Sequence, residues 1–189
     1  ECNERRNGYF VEFGATDGLS ISNTLALEKE LGWEGLLCEP NPYWHGELGR
    51  NRSQAAISHL CVANKSGERL KFLATSQPEF GTLATVAPND AHADARREAD
   101  LIEVETITLN DLLRTNGAPR IVDYISIDTE GSEVSILEAF DYDEYDVRLF
   151  SVEHNNTAAE RTIDELMTAH GYQRRFSGLS RWDAWYARS

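Results

Sequence analysis

The sequence predicts an α/β fold: a three-layer sandwich built around a mostly parallel sheet. Three observations carry this. Short apolar runs (GYFVEF, EGLLC, IVDYISI, RLFSV) alternate along the chain with segments at helical spacing. Gly, Pro or a capping motif closes almost every one of these units. The 189 residues show no internal repeat and no linker, so 1–189 is expected to form one domain.

Tyr9 to Phe13 is the first strand, running straight into Gly14-Ala-Thr-Asp-Gly18 as a tight turn. Asn23 to Leu31, with Leu25, Leu27 and Leu31, reads as a helix stopped by Gly32. Glu34 to Cys38 is a second strand, ended by Glu39-Pro40-Asn41-Pro42, and completes a β-α-β unit. Tyr43 to Asn51 reads as a helix despite two glycines, and Ile57 to Val62 as the next strand. Glu68 to Ala74 and Ile102 to Ile107 alternate with period two and form a hairpin flanking the segment 75–100, a loop-like candidate flap. Thr108-Leu-Asn-Asp111 opens a helix to about Asn116. Ile121 to Ile127 is a strand followed by a helix from Glu133 to Phe140, and Asp141 to Asp146 reads as a solvated loop. Val147 to Val152 is a strand, Thr157-Ala-Ala-Glu160 a capping box opening a helix to His170, and Tyr172 to Phe176 and Trp182 to Ala187 are the last two strands.

Lys and Arg total 18 against 32 Asp and Glu, a formal net charge of −14, which repels polyphosphate and argues against nucleic acid as a partner. No apolar run reaches the roughly 18 residues that span a bilayer, and the start ECNERRNGYF lacks the order of a signal peptide. The expectation is a soluble, cytoplasmic protein. Cys2, Cys38 and Cys61 are odd in number and widely spaced, so they are read as reduced thiols.

Ligands of open α/β sheets sit outside the carboxyl ends of the strands. The residues found there are Glu12 with Gly14, Asp17 and Gly18, then Glu39, then Asp128 with Glu130, then Glu153-His154-Asn155. The glycines at 14 and 18 do not make the nicotinamide fingerprint, because Thr16 stands where its middle glycine would be. They suit a nucleoside held by carboxylate and backbone groups, with Glu39 on the ribose diol. Asp128, Glu153 and Asn155 are oxygen ligands from neighbouring strand ends, a way to seat Mg²⁺. The plain alternative is that Asp128 and Glu130 cap the following helix while Glu153 pairs with an arginine. His154 is the candidate general base. His45, His59, His92 and His170 read as structural or solvated; Trp33 and Trp44 near Glu39 read as core residues, with stacking on adenine as the alternative.

GYFVEFGATDG, SNTLALEKELGWEGLLCEPNP, Asn51-Arg52, VDYISIDTEGSEVSILEAF, FSVEHNN and the terminal WDAWYA together resemble the FkbM family of S-adenosylmethionine-dependent methyltransferases over nearly the whole chain. The resemblance implies the class I methyltransferase (Rossmann-like) fold with seven strands and a late strand inserted antiparallel. It also implies O-methylation of a hydroxyl on a small-molecule or glycan acceptor, usually a sugar or secondary metabolite. Glu12, Gly14, Asp17, Gly18, Asn23 and Asp128 are then expected around the donor and Glu39 on its ribose, with Asp128, Glu153 and His154 as the catalytic candidates. Two other readings compete: a nucleoside-binding interaction module of the same fold without turnover, and a nicotinamide-dependent oxidoreductase, which the glycine spacing disfavours.

Overall fold

The computed structural model describes residues 5–86, 94, 97–178 and 181–188. Its centre is a seven-stranded sheet of β1 (Tyr9–Phe13), β2 (Glu34–Cys38), β3 (Ala56–Ser58), β9 (Tyr124–Ile127), β11 (Leu149–Glu153), β12 (Tyr172–Arg175) and β13 (Asp183–Arg188). The strands lie in the order β12-β13-β11-β9-β1-β2-β3. From β11 to β3 all neighbours are parallel, while β13 runs antiparallel between β11 and β12. The expected architecture, late inserted strand included, is therefore present.

Side-chain parity assigns the two faces. Val11, Phe13, Ile125, Ile127, Phe150 and Val152 pack beneath α3 (Leu109–Thr115), α4 (Glu133–Ala139) and α5 (Ala159–Ala169). Phe10, Leu37, Tyr124 and Leu149 face α1 (Leu25–Leu31) and α2 (Pro42–Asn51). Parallel strands buried on both faces explain why they read as continuous apolar runs. Gly32 ends α1 in the left-handed conformation at φ 67°, and Asn41 caps α2 through its side chain to the Tyr43 N–H.

The chain departs from the sequence reading in several places. The strand expected at 57–62 is two: β3 stays in the main sheet, and β4 (Cys61–Val62) leaves it to pair with β7 (Asp100–Ile107). The expected hairpin of β5 (Arg69–Ala74) with β7 is present and belongs to a second, four-stranded sheet, β4-β7-β5-β6, with β6 at Thr82–Leu83. The candidate flap is thus not all loop: it holds a 3-10 turn at Pro78–Phe80 and β6, while residues 87–93, 95 and 96, with His92, lie outside the described residues.

The expected strands at 121–127 and 147–152 are also broken, giving β8 (Ile121–Val122) with β9 and β10 (Asp146–Val147) with β11. The break in the first is Asp123, a buried acid that accepts the Tyr9 N–H and pairs with Arg5 and Arg148. The capping box expected at Thr157 and Glu160 does not form: Ala158 holds the cap position, Thr157 Oγ1 accepts the Ala159 N–H at 3.3 Å, and the Glu160 carboxylate is taken by Arg174. The acidic run at 141–146 is not simply solvated, because Tyr142 and Tyr145 enter the core. Cys38 and Cys61 are buried free thiols; Cys2 lies outside the described residues. Among the described residues no helix is long and apolar enough to cross a membrane.

Candidate functional site

Parallel strands deliver their carboxyl ends to one edge of the sheet, and a cavity of about 510 Å³ opens there. β1 supplies Gly14, β2 Glu39, β9 Asp128 and β11 Glu153. Phe72 and Leu83 of the second sheet form the opposite wall. Because β13 is antiparallel, its beginning lies at this same edge, and Trp182 and Asp183 join the lining, with Asp183 in register with Glu153.

At one end of the cavity stands Glu39, only 4% exposed. Its Oε2 accepts the Thr16 N–H at 3.0 Å and its Oε1 the Asn41 N–H at 2.7 Å. Burial, assisted by the nearby Asp128 charge, nevertheless raises its pKa from 4.5 to about 7. Pro40, Leu60, Cys61 and Val62 give this end an apolar wall. Outside it the His45 and His59 rings stack at 3.6 Å, and His45 Nε2 lies 2.9 Å from the Glu39 carbonyl oxygen.

The other end gathers Asp128, Glu130 and Glu153, with carboxylate oxygens within 4.8 Å of one another. The Asp128 and Glu153 carboxyls are close enough to compete for one proton, since two buried carboxylates at this separation do not both ionise readily. Burial raises the pKa of both, and the mutual repulsion of the two carboxylates raises that of Glu153 further. Neither acid follows the plain alternative. Ser132 holds the cap position of α4 without a side-chain cap bond, Glu133 ties down the preceding turn by accepting the Thr129 and Gly131 N–H groups, and Glu153 lies beside Asp128 with no arginine paired to it among the described residues.

Three non-glycine residues of the lining sit at positive φ: Thr16 at 47°, Glu130 at 58° and Asn155 at 48°. Such strain persists only where the surroundings fix it, and it gathers at functional clefts. Thr16 is held by its N–H on Glu39, and the Glu130 carbonyl accepts the Thr82 hydroxyl at 2.7 Å.

The other expected site residues fall into two groups. Gly14, Asn23 and Asn155 line the cavity, the Asn23 amide being anchored on the Ser126 hydroxyl at 3.0 Å. Glu12, Asp17 and Gly18 do not. The buried Glu12 carboxylate accepts Ser22 Oγ, the Asn23 N–H and Thr24 Oγ1, with the fully buried Arg52 beside it at 3.8 Å. Arg52 in turn bonds Glu28, the Gly18 carbonyl, Ser22 and Thr24. Together they lock the turn that leads to α1. Asp17 caps its own turn through the Leu19 and Ser20 N–H groups, which holds its carboxyl below the usual range although its partial burial opposes this. The glycines answer to the protein's own atoms: a Cβ at Gly14, φ 69°, would stand 2.0 Å from the Asp128 carbonyl oxygen, and one at Gly18, φ 74°, 2.6 Å from Arg52 Cγ.

His154 requires a correction. It is not part of the lining; it is 5% exposed, its Nδ1 accepts the Asn156 N–H at 3.1 Å, and its Nε2 lies 3.8 Å from Glu160 of α5. Glu153, the last residue of β11, lines the cavity, and His154, the residue after it, does not. Asn155 reaches the cavity, yet the residue that completes the clustered trio is Glu130. Trp33 is buried in the core and, like Trp44, lines none of the cavity. Trp182 and Asp183 escaped the sequence reading. The signal for them was an aromatic-acid pair opening the last strand, informative only once that strand is known to be antiparallel.

The sequence profile described as "Methyltransferase FkbM domain" matches residues 12–174, a span that includes Glu39, Asp128, Glu130 and Glu153. No curated protein matches the chain in sequence. Among solved structures it is similar to human methyltransferase 10 domain containing protein, with 11% identity and a TM-score of 0.53, over 100% of this chain and 75% of that one. The N-terminal domain of human METTL16 in complex with SAH is 13% identical with a TM-score of 0.52, over 99% of this chain and 64% of that one. M. capricolum TrmK in complex with S-adenosyl-homocysteine is 10% identical with a TM-score of 0.51, over 97% and 62%. The chain spans less than two thirds of these last two proteins. At such identities the likeness shows the fold, a class I arrangement of a mostly parallel seven-stranded sheet with antiparallel late strands.

Proposed function

The chain belongs to the FkbM methyltransferase domain family, and from that premise we propose that it transfers a methyl group from S-adenosylmethionine to a hydroxyl of a sugar or secondary-metabolite acceptor, in the cavity at the carboxyl edge of the main sheet. The observation that carries the reading is the division of that cavity, with a buried acid and an apolar wall at one end and three clustered carboxylates at the other.

The residues present fit the donor. The volume is that of a small-molecule site. The described lining holds six acids (Glu39, Glu79, Asp128, Glu130, Glu153 and Asp183) and no Lys, Arg or His. Such a set attracts a cation and offers nothing to a pyrophosphate. Glu39 would hold the ribose diol through lone pairs its two backbone donors leave open, Pro40, Leu60 and Val62 would enclose the base, and Asn23 and the turn at Gly14 would face the amino-acid end. Bound there, S-adenosylmethionine supplies an electrophilic methyl group on a sulfonium.

The chain's own acids then handle the proton. An alcohol is a weak nucleophile at neutral pH and must lose its proton as the new C–O bond forms. Asp128, ionised while Glu153 holds the shared proton, accepts it; the raised pKa makes this carboxylate basic enough to do so near neutrality. Asn155 and Glu130, beside the pair, are positioned to orient the hydroxyl. A second reading has its own support: the three carboxylates form an all-oxygen set of the kind Mg²⁺ takes, with Glu130 in the place first given to Asn155.

The test measures S-adenosylhomocysteine release with a mixed panel of neutral glycosides and phenols. Asp128→Asn and Glu153→Gln are expected to bind donor product normally and to lose about 10²- to 10⁴-fold in rate, and chelator is expected to leave the wild-type rate unchanged. Loss on chelation restored by Mg²⁺ selects the metal reading, and full activity in both variants overturns the role of the cluster.

A further inference from the structure

Trp182 is part of the cavity lining and yet 56% exposed, so its indole stands at the rim instead of in the core. Its backbone is fixed. The Trp182 carbonyl accepts the His154 N–H at 2.7 Å and the Asn155 N–H at 3.2 Å, the residues that directly follow Glu153. The next residue, Asp183, stands opposite Glu153 across the β11–β13 pair. The main chain that bears the ring is therefore tied to the same backbone that carries Glu153 and Asn155 into the cavity.

An exposed indole that lines a polar cleft offers a ligand an apolar face beside hydrogen-bonding groups. The neighbouring groups define that ligand. Glu153 and Asp183 add carboxyl oxygens and Asn155 adds an amide, so the partner must donate several hydrogen bonds while presenting an apolar face to the indole. A ring of C–H groups flanked by hydroxyls meets both demands, whereas a lone phenol or polyketide hydroxyl meets only the first contact and one of the others. The absence of Lys, Arg and His from the described lining disfavours an anionic acceptor.

Resting on the reading of this cavity as a methyl-transfer site, we propose that Trp182 is the acceptor platform, on which a neutral pyranose ring stacks so that one of its hydroxyls reaches Asp128 and Glu153. His154, away from the cavity, then serves the acceptor only by pinning Trp182 through its N–H.

The experiment uses the full chain saturated with S-adenosylhomocysteine, with the Trp182 indole N–H resonance assigned by comparison with Trp182→Phe. Methyl glycosides of neutral hexoses and 6-deoxyhexoses, methyl glucuronide and a simple phenol are titrated separately. The expected result is a saturable shift of the Trp182 signal with at least one neutral glycoside and none with the glucuronide. Trp182→Ala is expected to weaken that glycoside about tenfold at unchanged donor-product affinity, with most of the affinity retained in Trp182→Phe. No shift with any neutral glycoside, equal binding by Trp182→Ala, or a response to the phenol alone overturns the platform. Failure of S-adenosylhomocysteine to bind overturns the methyl-transfer reading itself, a separate observation made before any acceptor is added.

Discussion

Replacing Glu39 by Gln keeps the shape of the side chain and removes its charge, and the structure fixes what each change is worth. Both oxygens accept backbone N–H groups, from Thr16 and Asn41, so the amide nitrogen of a Gln has to face one of two donors. A buried N–H left without an acceptor costs about 1–3 kcal/mol. Against this stands the difficulty of ionising Glu39. Burial raises its pKa from 4.5 to about 7, and at about 1.4 kcal/mol per tenfold in proton affinity the charged form costs the native state about 3 kcal/mol. The folded protein binds this proton more tightly than the unfolded chain, so the stability it confers is complete below pH 4.5 and is lost as pH rises through 7. Gln does not titrate. Glu39→Gln is therefore expected to be less stable than the parent by about 1–3 kcal/mol at pH 5, and level with it or up to about 2 kcal/mol more stable at pH 8.5. Urea unfolding at the two pH values measures the difference. An equal loss at both would refute the raised ionisation. Calorimetry at pH 8 is expected to show S-adenosylhomocysteine binding weakened by about 1.5–3 kcal/mol, the worth of hydrogen bonds to a charged group. Unchanged affinity would remove Glu39 from the donor site.

His154→Ala is expected to cost about 1–3 kcal/mol of stability, because a buried ring is removed together with the acceptor of the Asn156 N–H, while turnover falls less than about tenfold; a drop of about 10²- to 10⁴-fold, the size expected of a lost general base, would show that the side chain reaches the reacting centre. Gly14→Ala forces a Cβ to within 2.0 Å of the Asp128 carbonyl at a left-handed φ, so a loss of about 3 kcal/mol or more is expected in thermal or urea unfolding, and a stability equal to the parent's would mean that β1 and β9 separate freely at their ends. Arg52→Met leaves the Glu12, Ser22 and Thr24 groups without their common partner; removing one member of a buried pair costs about 3–5 kcal/mol, and a variant that unfolds with the parent would contradict the locked turn.

The sequence disclosed the elements whose ends are marked by backbone chemistry. β1 and β2 fall at Tyr9–Phe13 and Glu34–Cys38 as read, because Gly14 and the prolines at 40 and 42 stop them. What it did not disclose depends on partners distant in the chain. Nothing local to Ser58-His-Leu-Cys61 tells that the strand leaves one sheet for another, since that is decided by pairing with Thr106 and Ile107. Asp123 carried a readable signal, a charged residue amid β-branched ones, and it breaks the strand to collect two arginines.

The site divides in the same way. That Glu39, Asp128 and Glu153 line one cavity was legible because the ends of parallel strands share an edge. His154 was misplaced by one residue, since the strand that reaches the cavity ends at Glu153. Glu12 stands at a strand end, but whether such an acid faces a ligand or a buried arginine depends on Arg52, forty residues later. Trp182 and Asp183 were missed because only strand ends were searched, and in an antiparallel strand the beginning occupies that edge.

The central claim is that one cavity holds the donor at Glu39 and the reacting hydroxyl at Asp128 and Glu153. A crystal structure of the protein with S-adenosylhomocysteine tests it most directly. The account predicts the ribose hydroxyls on the Glu39 carboxylate, the base against Pro40 and Leu60, and the sulfur directed toward Asp128 and Glu153. Product bound elsewhere, or with its sulfur turned away from that carboxylate pair, would contradict it.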